Sequence, residues 1–329
     1  MAYTKPWLSI DQQLDLLAQR GLEIGDHAKA YACLERIGYY RLSGYLYAFR
    51  VRSDVCCAFP KCSKSGKTTR LVLDEFKAGS TFRDCIDLYI FDKKLRVLIL
   101  DALERVEIAL RVDIAHLPGK RNTFAYLAPE EFHPSFSHVI SMKTGLTRHH
   151  EWLRKQADLI IRSNEDFVSH NKQKTGLPLA IWIACEVWDF GATSKLYGGL
   201  TEGDQDYISQ KYGLKNGRVF ASWLETLNYL RNVCAHHSRL WNRNMERQPK
   251  LPDQAEIPSL RGFPIDAHAL ARCFLQVLML THLVKILYRG SAWPEKVISH
   301  FESFPQLEHV GLNLAGMGAP KHWKELLRQ

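Results

Sequence analysis

A long, unbroken stretch of helical periodicity constrains the fold of this chain more than any other feature of its sequence. From Thr81 to the pair Pro118-Gly119, apolar residues recur every three or four positions, which is the spacing of one helix face. The stripe consists of Leu88, Phe91, Leu95, Leu98, Ala102, Val106, Ala109 and Leu110. The spacing therefore predicts one long helix that ends near Pro118.

Most of the remaining chain also carries helical patterns. Ser9 can cap a first helix with Gln12 as its capping-box partner, and Gly21 can end that helix. Further helices are predicted over residues 26–37, 147–169, 177–191, 192–200, 217–241 and 266–287, with a short one around Trp323. We predict an all-α fold, a multi-helix bundle in which residues 1–329 form a single domain.

One segment, residues 52–70, breaks the helical pattern. It contains Pro60 and Gly66 together with several basic residues, and it predicts a short irregular insertion or a short hairpin. Three of the eight cysteines lie there, namely Cys56, Cys57 and Cys62. They lack the paired spacing of a zinc site, so we expect no metal and no other cofactor.

The other cysteines lie singly in helical patterns, as buried thiols do. The first ten residues contain no apolar run that resembles a signal peptide. Both features favour a reducing compartment, and we expect a cytoplasmic protein. No stretch approaches the ~18 consecutive apolar residues that span a bilayer, so a membrane is not an expected partner. The most apolar segment, residues 269–287, is better interpreted as a core helix.

The charge balance points to a polyanionic partner. Lys and Arg outnumber Asp and Glu by 44 to 35, which gives a formal net charge of +9 and a pI of about 9.1. Nucleic acid is the first candidate for such a partner and an acidic membrane surface the second. The charge alone does not choose between them.

The densest group of polar residues lies near the end of the helix predicted over residues 217–241. On a continuous helix, Asn232, His236, Arg239 and Arg243 would form one stripe, because they are separated by four, three and four residues. Arg231 would lie about 140° away from His236. Only a bent arginine side chain or a partner surface could then bring the two to one substrate.

These residue types suit RNA cleavage without a metal ion. A base such as His236 can take the proton of the ribose 2′-OH, and Arg231 can stabilise the charge that develops on the phosphate. Asn232 can orient either group, and the product would be a 2′,3′-cyclic phosphate. The alternative is that the histidines are packed and hydrogen-bonded, and we favour this structural role for His237. A metal site is less attractive because adjacent histidines on a helix diverge by about 100°.

A second group combines Glu107, Arg111 and His116. Arg111 and His116 repeat the spacing of Arg231 and His236, so they are candidates for a second half of the catalytic centre. The alternative is an ordinary ion pair between Glu107 and Arg111, which stabilises a helix.

Two further groups mix aromatic and charged residues. The first comprises Tyr39, Tyr40, Arg41 and Tyr45, which could stack bases and hold phosphates, although we favour core packing for them. The second includes Glu186, flanked by Trp182 and Trp188. A buried Glu186 would need a cationic partner, for which an arginine of the helix predicted over residues 217–241 is a candidate.

Several runs of residues resemble the Abi_2 group, the AbiD/AbiF-like abortive-infection proteins, over nearly the whole length of the chain. The matching runs include residues 37–45, 87–92, 104–107, 194–197, 231–237 and 317–323. The group is similar to HEPN ribonucleases, which carry Arg, often followed by Asn, and then His after four to six intervening residues. That motif corresponds here to Arg231, Asn232 and His236, and His237 also satisfies the spacing.

The resemblance implies a HEPN-like core over roughly residues 81–290 and a function as a metal-independent endoribonuclease that acts against phage. HEPN nucleases usually combine two motifs, within one chain or across a homodimer, and both arrangements remain open here. RNA is the expected substrate, with an antitoxin or a noncoding RNA as a further partner hypothesis. Supporting or RNA-binding roles are implied for His237, Arg239, Arg243, Tyr40, Arg41 and Glu186. The alternative function is a non-catalytic RNA-binding module of a defence or toxin–antitoxin system.

Overall fold

Helices dominate the computed structural model, which describes residues 6–53, 71–253 and 256–329. The described part of the chain is mainly all-α, as predicted, with one small two-stranded sheet. The chain divides into two compact units. The first unit comprises Met1–Leu95 and Ser299–Gly316, and the second comprises Arg96–Ile298 and Met317–Gln329. The single domain expected over the whole chain stays a prediction.

The described residues of the first unit form three complete α-helices, the beginning of the long helix and the end of a helix that starts in the second unit. The first four are α1 (Ile10–Gln19), α2 (His27–Ile37), α3 (Tyr39–Leu46) and the start of α4 (Phe82–Gly119). The predicted capping box is confirmed, because the Ser9 hydroxyl accepts from the Gln12 N–H at 3.2 Å and Gln12 Oε1 accepts from the Ser9 N–H at 2.9 Å. The prediction of one long helix up to Pro118-Gly119 is also confirmed by α4.

A short hairpin is the only sheet among the described residues. Its strands are β1 (Arg50–Arg52) and β2 (Val72–Phe76), which pair antiparallel with Arg50 opposite Phe76 and Arg52 opposite Val72. The two strands lie at the two ends of the predicted insertion. Residues 54–70 themselves, with Cys56, Cys57 and Cys62, lie outside the described residues.

The core of the first unit contains hydrogen-bonded polar groups. The buried Tyr45 hydroxyl donates to the buried carboxylate of Asp92 at 2.6 Å. The ring of His300 stacks on Phe91 with 4.3 Å between the ring centroids, and its Nε2 lies 3.0 Å from the carbonyl oxygen of Phe91. Burial lowers the pKa of His300 to about 4, so this imidazole is neutral in the folded protein at neutral pH.

The second unit packs the rest of α4 with the remaining helices. They are α5 (Pro134–Ser137), α6 (Arg148–Arg162), α7 (Asp166–Thr175), α8 (Ile181–Ala184), α9 (Phe190–Gly199), α10 (Glu202–Lys211), α11 (Gly217–Ala235), α12 (Ala267–Leu270), α13 (Phe274–Leu287), α14 (Trp293–Glu302, which continues into the first unit) and α15 (Trp323–Arg328). Every residue of α13 from Phe274 to Val284 is buried, which confirms its interpretation as a core helix. No helix in the described ranges combines the length and the apolar character needed to cross a bilayer.

Three predicted helices are divided or shortened in the structure. The helix expected over residues 147–169 is α6 followed by α7, and the one expected over 177–191 is the single turn of α8 with a 3-10 turn after it. The helix expected over 266–287 breaks between α12 and α13. The Ala271 carbonyl accepts the N–H of Met245 at 2.8 Å. This carbonyl therefore bonds to a residue distant in sequence and not to an N–H of the next helical turn.

Candidate active site

Helix α11 carries the central Arg-Asn-His motif and begins at a side-chain cap. The Asn216 side chain accepts the N–H groups of Arg218 at 2.9 Å and Val219 at 3.2 Å, which satisfies donors that a helix start leaves unpaired. One face of α11 is buried through Phe220, Trp223, Leu224, Leu227 and Leu230. This burial fixes the helix, and Arg231 and Asn232 follow half-buried at the edge of the core.

The helix ends earlier than the sequence predicts, directly before the two histidines. His236 is the C-cap of α11, and His237 takes a left-handed conformation with a φ of 55°. The Ser238 N–H donates to the Val233 carbonyl and the His237 N–H to the Cys234 carbonyl, both at 3.0 Å. These two bonds define a Schellman motif, which normally has glycine where this chain has His237.

The predicted stripe of four polar residues is therefore wrong beyond His236. Asn232 and His236 remain one turn apart on one helix face, but Arg239 and Arg243 lie after the turn and are not part of α11. Arg243 instead returns to the side of the helix, where its Nε donates to the Tyr229 hydroxyl at 3.1 Å. Arg239 is half-buried in the same loop.

The loop after α11 is held by a buried cation from the long helix. Arg96 on α4 is only 4% exposed, and its Nη1 donates to the Ser238 carbonyl at 3.3 Å. Because this carbonyl follows directly after the two histidines, Arg96 fixes the turn that presents them.

Arg231, Asn232 and His236 lie near one another in sequence at the end of α11, and a hydrogen bond joins the first two. Arg231 Nη1 donates to Asn232 Oδ1 at 3.3 Å, so the long arginine side chain bends toward the face that also carries His236. The His236 side chain is exposed, in contrast to the buried Val233 and Cys234 before it. The imidazole is therefore accessible to a substrate, and the helix brings the guanidinium, the amide and the imidazole to one region.

A half-buried carboxyl from α4 lies beside the arginines. Burial raises the pKa of Glu107, while the charges of Arg111 and Arg231 act in the opposite direction. Arg111, one turn further along α4, donates to the Glu107 carboxylate. Glu107 therefore lies near an arginine of each predicted motif, Arg231 of the first and Arg111 of the second.

A second carboxyl, Asp189, completes this ionic cluster. Burial by itself would raise its pKa, but hydrogen bonds from Lys155 and from the Ala192 N–H, together with the charges of Lys155 and Arg231, hold the pKa below its usual value. Lys155 Nζ lies 2.7 Å from Asp189 Oδ2. With Glu107 and Arg111 included, the cluster has three cations and two anions, which leaves one positive charge in excess.

The structure separates Arg111 from His116, the two members of the predicted second motif. Arg111 points into the cluster and also donates to the backbone carbonyls of Glu186, at 3.4 Å, and of Trp188. His116 is exposed and lines a cavity near the end of α4, outside the ionic cluster. The Glu186 side chain is exposed, so the cationic partner that a buried carboxylate would need is not required, and only its carbonyl contacts Arg111. Its supporting role stays a prediction.

The aromatic segment in the first unit divides into surface and core residues. Tyr40 is 77% exposed and Arg41 is exposed, whereas Tyr45 is buried. Core packing, which the sequence favoured for the segment, thus holds for Tyr45 and is wrong for Tyr40 and Arg41. Their role in RNA binding stays a prediction.

The cysteines and the possible metal ligands give no metal centre in the described ranges. Cys85, Cys185, Cys234 and Cys273 are free and buried, and Cys33 is free and half-buried. No group of three or more His, Cys, Asp or Glu side chains within residues 6–53, 71–253 and 256–329 could hold a metal ion.

Asp189 and Lys155 are members of the cluster that the sequence analysis missed. Asp189 had one local signal: it precedes Phe190-Gly191 and is the N-cap of α9, where its side chain accepts the Ala192 N–H at 2.6 Å. Lys155 had none, because it reaches Asp189 from α6, 34 residues away in sequence.

Comparison with known proteins identifies the family to which this chain belongs. The family model of Abi-like proteins, Abi_2, matches residues 32–242, which is more than half of the chain. The chain therefore belongs to the Abi-like protein family, as the sequence resemblance indicated. The matched range includes Glu107, Arg111, Asp189 and the motif of α11. Searches of curated proteins and of solved structures gave no match.

Proposed function

We propose that this Abi-like protein is a bacterial anti-phage endoribonuclease of the HEPN type, which cleaves RNA without a metal ion. The observation that carries the proposal is the hydrogen bond from Arg231 to Asn232, one helical turn before the exposed His236 at the end of α11. Family membership supports the abortive-infection role. The proposed RNA cleavage rests on the side chains of Arg231, Asn232 and His236.

In the proposed reaction, His236 takes the proton from a ribose 2′-OH, and the 2′ oxygen attacks the neighbouring phosphorus. The bond to the 5′ oxygen breaks, and that oxygen receives a proton from an imidazolium, which is either the same His236 or its copy in a second chain. Arg231 stabilises the negative charge of the phosphorane, and Asn232 holds the guanidinium in place. The products are a 2′,3′-cyclic phosphate and a 5′-hydroxyl.

The charges around Arg231 favour this role. Glu107 and Asp189 lie close enough to its guanidinium for its charge to influence their ionisation, and the cluster still has one positive charge in excess. A fixed cation that is already desolvated stabilises a phosphorane more than a mobile surface cation does, because little reorganisation is needed.

The test is cleavage of labelled RNA by the purified protein and by the variants Arg231→Ala and His236→Ala, in buffer with and without EDTA. We expect the wild type to cleave in both buffers and each variant to lose activity by a factor of about 100 or more. RNA with 2′-O-methyl riboses should resist cleavage because the nucleophile is blocked. Arg247→Ala, at an exposed arginine outside the cluster, is a control that should cleave normally.

The alternative, a non-catalytic RNA-binding module, gives a different result in the same experiment. It predicts salt-sensitive RNA binding with no product, and no change in RNA integrity in His236→Ala. Cleavage that survives both Arg231→Ala and His236→Ala, or that EDTA abolishes, would contradict the proposed mechanism.

A further inference from the structure

The end of α4 carries a cavity that the proposed catalytic residues do not use. It has a volume of about 500 Å³ and is lined by His116, Lys120, Trp182, Tyr207 and Lys211, together with Ala115, Leu117 and Gly119. Sites for small molecules have volumes of ~300–1,000 Å³, so the cavity has room for a ligand of nucleotide size. None of its lining residues is acidic.

Two aromatic rings in this cavity remain accessible to solvent. Trp182 is 50% exposed and Tyr207 is 54% exposed, although both belong to well-packed helical segments. Gly119 explains the position of Trp182: a Cβ at residue 119 would lie 2.9 Å from Ile181 Cγ2 and 3.7 Å from the Trp182 ring. The absence of a side chain at Gly119 lets this tryptophan lie directly against the end of α4.

The basic groups of the cavity differ in whether they already have a partner within the protein. Lys211 Nζ is paired with Asp113 at 2.6 Å and lies 5.3 Å from the centre of the Tyr207 ring. The side chains of His116 and Lys120 are exposed, and neither has an ion pair or a hydrogen bond within the described part of the chain. Lys120 can therefore bind an anion without first breaking a contact.

Three other cavities within the described residues lack this combination. The one lined by Trp7, Tyr40 and Arg20 also has exposed rings, but its Arg20 is paired with Asp74 at 3.2 Å. A larger cavity in the first unit, beside α2, is lined by Glu23, Asp26 and Asp87 as well as basic residues, so it does not favour a polyanion. The cavity beside α6 is mainly apolar, with Gln156 as its polar group. Exposed rings next to an unpaired lysine are the features that single-stranded nucleic acid requires.

We propose that the cavity at the end of α4 binds an unpaired nucleotide of the RNA substrate, with its base stacked on Trp182 or Tyr207 and its phosphate on Lys120. The choice of RNA as the ligand rests on the proposed function. An unpaired base is required because in a duplex the neighbouring base pairs cover the face of each base by stacking.

The position of the cavity along α4 connects it with the ionic cluster. His116 lies five residues beyond Arg111, which is about 7.5 Å along the helix axis. The segment that carries Trp182 also reaches Arg111, which donates to the Glu186 carbonyl at 3.4 Å. A strand with an unpaired base in the cavity would continue along α4 toward the cluster, and the cavity would select unpaired RNA.

The direct test is fluorescence anisotropy of a fluorescein-labelled oligouridylate, titrated with the full chain carrying His236→Ala so that the RNA stays intact. Adding Trp182→Ala should lower the affinity about 5- to 150-fold, the range for the loss of one stacked base. Trp182→Phe should restore most of the affinity, because it keeps a ring. Lys120→Ala should reduce the slope of log K against log salt by about 0.7, the value for one phosphate contact on a single strand.

Matched controls are available on α7. Phe167 is 39% exposed and Lys174 is exposed, and neither lines the cavity, so Phe167→Ala and Lys174→Ala should leave the affinity unchanged. A labelled duplex of the same length should bind more weakly than the single strand. Circular dichroism of each variant checks that the fold is retained.

The outcomes separate the two proposals. If the wild type cleaves RNA but the Trp182 and Lys120 variants bind like the parent, the cavity proposal is wrong and the nuclease proposal stands. If binding depends on Trp182 and Lys120 but no RNA is cleaved, the nuclease proposal is wrong and the cavity remains an RNA site. Absence of any RNA binding by the parent would overturn the cavity proposal, while cleavage by the wild type would still decide the nuclease proposal.

Discussion

Gly191 at the start of α9 lies against the side chain of Asn228 on α11, one turn before the Arg-Asn-His motif. A Cβ at residue 191 would be 3.4 Å from both amide atoms of Asn228 and 3.3 Å from Asp189 Oδ1. The absence of a side chain at this position lets α9 bring Asp189 close to Arg231, so the small residue helps to build the ionic cluster.

Replacement of this glycine should reduce activity more than stability. In Gly191→Ala, the better helix propensity of alanine contributes up to ~1 kcal/mol, while the crowded Asn228 and Asp189 must shift by a few tenths of an ångström. We expect RNA cleavage to fall about 10-fold, as small displacements in an active site commonly cause. Gly198→Ala is the matched control on the same helix, because no atom lies within 4 Å of its added Cβ. Equal cleavage rates for the two variants would contradict the role of Gly191.

The left-handed conformation of His237 predicts how its substitutions affect stability. A β-branched residue is the least compatible with a φ of 55°, so His237→Val should lower the free energy of unfolding by about 1–2 kcal/mol. His237→Gly should be close to the wild type because glycine adopts this conformation without steric cost. Urea unfolding of the two variants measures the difference.

Substitutions at His237 and His236 also distinguish the roles of these two adjacent histidines. If His237 serves the turn and His236 the chemistry, His237→Gly should retain RNA cleavage while His236→Ala loses it. A His237→Gly variant that folds but does not cleave would assign His237 to the reaction, since its spacing also fits the motif.

The Glu107–Arg111 pair should show coupled effects on stability. Both side chains are mostly buried, with 13% and 18% exposure, so Glu107→Ala leaves a desolvated guanidinium without its carboxylate. We expect each single alanine variant to lose about 2–3 kcal/mol of stability and the double variant to lose less than the sum. A double-mutant cycle by urea unfolding checks this, and strict additivity would contradict the coupling.

Buried histidines predict a loss of stability at acidic pH. Burial holds the pKa of His300 at about 4, below the ordinary value of 6.5, and it also lowers the pKa values of His149 and His282. The folded protein binds fewer protons than the unfolded chain, so this stabilisation is complete above pH 6.5 and is lost as the pH falls toward 4. In His300→Phe, which keeps the stacked ring, the decline between these pH values should be about 2–3 kcal/mol smaller than in the wild type. Thermal unfolding at several pH values measures the difference, and parallel curves would contradict it.

Local signals in the sequence were sufficient for the elements that depend on local contacts. Ser9 and Gln12 form a capping box within one turn, and α4 follows an apolar stripe that no proline interrupts before Pro118. The motif residues Arg231, Asn232 and His236 were also identifiable, because their types and spacing match a known chemistry.

Contacts between distant residues account for most of what the sequence did not predict. The break before α13 depends on Met245, which donates to the Ala271 carbonyl. The end of α11 was missed because His237 stands where a glycine usually marks the stop. The separation of Arg111 from His116 follows from Glu107 and the carbonyls of Glu186 and Trp188, whose proximity requires the folded chain.

Helix α13 has a consequence for the rigidity of the motif. All its residues from Phe274 to Val284 are buried, and it packs against α11. Backbone amides in such a segment exchange with deuterated solvent only when the whole unit opens, whereas those of exposed loops exchange by local fluctuation. Helix α13, which packs against the helix of the motif, should thus be among the slowest-exchanging described segments, so α11 keeps its geometry while the surface around it fluctuates.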